Sequence, residues 1–181
     1  EEVRNGVGAE VAGLNFEVNY SPSGLFLFSA GGTMQQANYQ EEQVLFEPDA
    51  SNDQDPVVAT SRFIRQPNTY GYFSSSFTPN EAFGLDLTGI YTGPMLVPRV
   101  VSESGFLNVI ESDAFLELNL KASYHFDITD AFHLELSGGV QNLFNSFQPE
   151  FDRGPQRDSD FVYGPMRPRT FFLGLKIGDF Q

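Results

Sequence analysis

The chain has 181 residues and a formal net charge of −14, with no Cys, no Trp, 19 Phe and 7 Tyr. An acidic chain without a basic patch has nothing to neutralise phosphates, which excludes a nucleic-acid surface. Two His and no Cys are too few N and S ligands for a dense transition-metal site, and with a mean hydropathy of −0.24 no apolar run approaches the roughly eighteen residues of a transmembrane helix.

That last exclusion does not reach strands. Membrane strands alternate apolar and polar residues, which halves their mean hydropathy. The opening Glu1-Glu2-Val3-Arg4 is not a basic, apolar leader, so the chain is expected to be processed or to be the tail of a longer protein.

Residues 6–20 settle into alternation, with Leu14, Phe16, Val18 and Tyr20 against Asn15, Glu17 and Asn19. Ser21-Pro22-Ser23-Gly24 predicts a tight turn. A second strand is expected over 25–39, its parity blurred by Leu25, Phe26, Leu27 and Phe28, with a bulge at Gly31-Gly32. Residues 40–66 read as a long polar connection carrying Glu41, Glu42, Glu47, Asp49, Asp53 and Asp55, then Arg62 and Arg65. A third strand covers 69–78 and turns at Pro79-Asn80-Glu81. The fourth sets Phe83, Leu85, Leu87, Gly89 and Tyr91 against Asp86 and Thr88. Residues 93–113, with Pro94 and Pro98, form a second long connection.

The clearest pattern lies at 115–144. Leu116, Leu118, Leu120, Ala122, Tyr124, Phe126 and Ile128 share one parity, and Glu117, Asn119, Lys121, Ser123, His125 and Asp127 the other. Successive strand side chains point to opposite faces, so one face is hydrocarbon and the other is polar. After a turn near Thr129-Asp130 the pattern resumes with Leu134, Leu136, Gly138 and Val140. Globular strands average roughly five or six residues, whereas a membrane strand needs about nine to eleven. The length favours membrane strands, with Leu118, Leu120, Leu134 and Leu136 towards lipid. A third long connection (145–166) precedes a seventh strand over 167–180. Short turns and long loops alternate at every junction, as in outer-membrane barrels with short periplasmic turns.

The residues from Gly138 onward carry a family resemblance. Gly139-Val140-Gln141-Asn142-Leu143-Phe144-Asn145, Phe151-Asp152-Arg153-Gly154, Arg157-Asp158-Ser159, Val162-Tyr163-Gly164-Pro165 and Pro168-Arg169-Thr170 resemble the C-terminal end of TonB-dependent outer-membrane receptors of Bacteroidetes type. Upstream, Tyr91-Thr92-Gly93-Pro94 and Asn5-Gly6-Val7-Gly8-Ala9-Glu10 fit as well, so the likeness spans nearly the whole chain. The resemblance implies an all-β, antiparallel transmembrane barrel of 22 strands. Residues 1–181 would supply about seven C-terminal strands, with the plug domain and the earlier strands outside them. It further implies uptake of a scarce ligand, an iron chelate or cobalamin, and no enzymatic activity. The implied partners are outer-membrane lipids, the plug, TonB acting through the plug, and a surface lipoprotein.

Two other readings fit the same alternation: a small complete barrel with a structural or adhesive role, and a soluble lipocalin-like binding barrel. Candidate ligand contacts in the last loop are Phe151, Arg153, Arg157 and Tyr163. The aromatics stack on a ligand or form part of an aromatic girdle. Asp152, Asp158 and Asp160 have oxygens suited to calcium, or else belong to a salt-bridged loop. His125 and His133 read as polar wall residues, as do Asp86, Glu117, Lys121 and Glu135.

Overall fold

The computed structural model describes residues 8–48, 55–101, 105–129 and 132–178; among them there are strands and no helix. In chain order the strands are β1 (Ala9–Ser23), β2 (Phe26–Phe46), β3 (Val58–Arg62), β4 (Thr69–Phe77), β5 (Phe83–Thr92), β6 (Leu96–Val101), β7 (Phe106–Glu111), β8 (Phe115–Thr129), β9 (Phe132–Gln141) and β10 (Thr170–Gly178). Seven of them form one antiparallel meander in the order β1-β2-β4-β5-β8-β9-β10, β3 pairs with the far half of β2, and β6 and β7 form a separate ribbon. β1 and β10 are the two ends of the meander and do not pair with each other, so the described sheet is open.

The register sorts the two faces. Tyr20, Phe28, Ser75, Leu87, Leu120, Val140 and Phe171 are successive cross-strand partners, one row crossing all seven strands in which Ser75 is the single aliphatic hydroxyl. One residue along, on the opposite face, Asn19, Ser29, Ser74, Thr88 and Asn119 make a wholly polar row over five strands. Because the side-chain period is two, a slip of one residue would exchange these rows, so the segregation pins the register.

The apolar face is the open one. On β10, Phe171 is 74 % exposed and Leu173 89 %. On β8, Leu116, Tyr124, Phe126 and Ile128 are exposed, while Ser123 on the other parity is buried. The polar face pairs its own groups: Ser76 Oγ donates to Asp86 at 2.7 Å, Lys121 Nζ lies 3.8 Å from Glu135, and Asn119 Nδ2 reaches Thr88 Oγ1 at 3.4 Å. In water this arrangement is inside-out, since burial of apolar surface is what stabilises a soluble fold.

Several expected details move. The first turn is Gly24-Leu25, not 21–24: β1 continues through Pro22 with a register irregularity between Tyr20 and Ser23. Proline lacks an N–H and is tolerated on an edge strand or at a bulge, and Pro22 has both. Gly31 and Gly32 do not form a bulge; they hold unbroken register opposite Glu17 and Phe16. A Cβ on Gly32 would come within 2.7 Å of the Phe16 ring, so glycine is there to admit a cross-strand aromatic. The polar stretch 40–66 contains the end of β2 and all of β3, and 93–113 folds into the β6–β7 ribbon. The last strand is 170–178. The expected starts at Asn5, Gly6 and Val7, the loop carboxylates Asp49 and Asp53, the turn residue Asp130 and the final Phe180 lie outside the described residues.

Candidate functional site

The long connections leave the same end of the sheet, and there the chain builds its buried apolar cluster. Val97, Phe115, Phe161 and Tyr163 are buried together, with Met95 and Ile110 packed against them. Val97 and Ile110 come from the β6–β7 ribbon, Phe115 opens β8, and Phe161 and Tyr163 belong to the last connection. Phe115 has the polar parity of β8, so its burial shows that this cap lies over the polar face of the wall. Gly164 meets the same ring: its φ is +76°, and a Cβ there would sit 2.7 Å from Phe115.

Polar groups inside the cap are satisfied. Gln148 is fully buried; its Nε2 donates to the carbonyls of Glu150 and of Phe161 (3.1 Å), and its Oε1 accepts from the Tyr163 N–H at 3.0 Å. A buried amide left unpaired would cost several kcal/mol, roughly 2–7, so Gln148 sets the path of 148–163. Burial pushes the Tyr163 phenol above its ordinary value, the Glu150 and Asp113 carboxylates push the same way, and Arg99 opposes them.

Three arginines cross-link the connections. Arg65, at a φ of 57°, donates its N–H to the Leu96 carbonyl at 2.6 Å. Its guanidinium donates to the carbonyls of Val162 (3.1 Å) and Asp160, so one residue touches all three long connections. Arg99 binds Asp152 at 2.6 Å, lies 3.7 Å from Glu150, and sits 4.8 Å over the Phe161 ring. A guanidinium stacked on a ring while its two terminal nitrogens face two different carboxylates is a role lysine cannot fill. Arg62 meets Glu111 at 3.0 Å.

The Asn142-Leu143-Phe144-Asn145 element, singled out in the sequence, is a clamp. Asn142 and Asn145 have φ of 50° and 54°, a left-handed region that Asn tolerates better than most residues. Buried Asn142 donates its amide to the carbonyls of Ser146 and Arg167, both at 2.8 Å, and accepts the Ser146 N–H. Its own N–H donates to Asn119 Oδ1 at 2.8 Å. Asn145 Oδ1 accepts the Arg169 N–H at 2.9 Å. The clamp therefore ties the end of β9 to the residues that lead into β10.

The candidate residues of the last loop separate. Tyr163 lies in the cap core, whereas Phe151, Arg153 and Arg157 are exposed. Asp152 is taken by Arg99, and Asp158 accepts the N–H groups of Val100 (2.7 Å) and Asp160 (2.9 Å). Asp160 contributes its carbonyl to Arg65. Among the described residues no group of three or more acidic or His side chains is arranged to hold a metal ion. His133 Nδ1 lies 2.8 Å from Asp127 at the short-turn end. Arg99, Gln148 and Phe161 organise the cap without forming any sequence motif, because each acts on partners distant in the chain.

Compared with family models, with curated proteins and with solved structures, the chain has no match.

Proposed function

We propose that residues 1–181 are the C-terminal barrel portion of a TonB-dependent outer-membrane receptor that takes up a scarce ligand such as an iron chelate or cobalamin. The observation that carries this reading is the apolar row from Tyr20 to Phe171, running across seven antiparallel strands with a polar row on the opposite face. Only a hydrocarbon solvent makes such a face favourable, and strands of 15 residues such as β1 and β8 are long enough to cross it tilted. A lipocalin-type barrel would enclose its apolar parity, whereas the packed connections here gather at Phe115, which has the polar parity of β8.

In this reading the polar face lines the lumen and meets the plug, TonB acts through the plug, and further strands close the sheet between β1 and β10. Membranes admit only closed barrels, since each unsatisfied backbone group in lipid costs several kcal/mol. The cap of long connections then roofs the lumen at the outer surface, where a ligand first arrives, and the role is transport rather than catalysis.

The test is uptake by intact cells of a labelled ferric chelate and of labelled cobalamin, with the gene intact or deleted. One of the two should lose uptake on deletion, and also when the inner-membrane proton gradient is collapsed. Recovery of the protein in the soluble periplasmic fraction would refute the reading. A monodisperse, heat-modifiable monomer formed by residues 1–181 alone would favour the small complete barrel.

A further inference from the structure

Four exposed arginines lie between β9 and β10: Arg153, Arg157, Arg167 and Arg169. Among the described residues none of them is in an ion pair, although the chain as a whole is strongly acidic. Arg153 and Arg157 are at the loop tip, where Arg157 reaches only the carbonyl of Gly154 at 3.4 Å. Arg167 and Arg169 are different, because their backbone is held while their guanidinium groups are free. The Arg167 carbonyl is held by Asn142 and the Arg169 N–H by Asn145.

Their position gives that freedom a use. Arg169 precedes Phe171 by two residues and continues the parity of Phe171, Leu173, Leu175 and Ile177, all exposed on the apolar face. Phe144 (58 % exposed), on the clamp that holds both arginines, and Met166 (90 % exposed), next to Arg167, add apolar surface at the same corner. The corner is therefore amphiphilic, with two cations on a held backbone above a column of hydrocarbon. Guanidinium groups bind phosphate oxygens in pairs through parallel N–H donors, and long cationic side chains above an apolar belt reach the headgroup layer.

We propose that Arg167 and Arg169 bind the phosphate of a phosphorylated lipid whose acyl chains lie along the apolar face of β10. This rests on the membrane reading above and adds a specific lipid contact to it. The phosphate alone does not account for the site, because the exposed Phe144, Met166 and Phe171 beside it match acyl chains.

The test uses the intact protein, purified in detergent from its host membrane, in micelles doped either with a bis-phosphorylated lipid A or with its dephosphorylated counterpart. Native mass spectrometry reads the retained lipid. The phosphorylated form should be retained about tenfold better, in keeping with the strength of charge-assisted pairs. R167Q/R169Q should abolish that preference, whereas R153Q/R157Q should leave it intact. Equal retention of the two lipids by the unaltered protein would overturn the inference, and so would displacement of the lipid by millimolar inorganic phosphate. Alkaline carbonate washing of the membranes decides the underlying reading separately: a washed-out protein refutes membrane insertion, while a retained one with no phosphate preference refutes only the lipid site.

Discussion

The wall and the cap are built on opposite rules from the same chain. In the wall, Leu173 is 89 % exposed, while on the polar face Ser123 is buried. In the cap, Phe161 is 1 % exposed and charged groups sit at its rim, where Arg99 and Arg65 bind carboxylate and carbonyl oxygens. The cap is an ordinary water-facing core of loops. The wall carries an apolar row on one face and a polar row on the other, the arrangement that the proposed membrane reading requires. Stability of the two regions should therefore respond to different changes.

The largest expected effect is in the cap. Phe161→Ala removes the fully buried ring and should cost about 3–5 kcal/mol, read as faster hydrogen exchange and proteolysis across 95–115 and 148–163. The wall should keep its heat-modifiable migration. If exchange in β4 and β5 rose equally, cap and wall would be one cooperative unit and the contrast would be wrong.

In the wall, Leu120→Arg on the apolar row should cost roughly 2–4 kcal/mol in a lipid-vesicle refolding assay, the range for an arginine near the bilayer midplane. Ser29→Arg on the polar row, where no hydrogen bond of Ser29 is lost, should cost far less. Equal losses would overturn the assignment of faces.

Arg99→Met sharpens the picture of the cap. It strips the partner from Asp152, whose side chain is 12 % exposed, and should cost the cap about 1–3 kcal/mol. Adding Asp152→Asn should restore part of the loss, because the stranded charge goes with it. A double variant no better than the single would show that the stacking on Phe161, rather than the charge pair, is what matters.

The smallest effect is a pH dependence. Tyr163 is raised in the folded state, so its protonated form is favoured by folding. That contribution is complete below the unfolded value near 10 and is lost as the pH climbs through the folded one. The cap should loosen at strongly alkaline pH, and Tyr163→Phe should delete the latest component of the phenolate absorbance titration. An unchanged titration curve would sever Tyr163 from the effect.

The sequence by itself determined the wall. All seven meander strands were legible, because strand alternation is local: each side chain's face follows from its parity, and Pro, Gly and Asn punctuate the ends. Asn142-Leu143-Phe144-Asn145 was legible as a motif, though not as a clamp, since its partners Asn119 and Arg167 are distant in the chain. Tertiary structure decided the rest. The strands β3, β6 and β7 inside nominal loops, the burial of Tyr163, and the assignment of Asp152 and Asp158 to Arg99 and Val100 all depend on which connections meet. Ile64 bridging to Leu96 and Arg65 reaching Val162 are contacts across tens of residues. They carry no period, so no stretch of the chain read alone contains them.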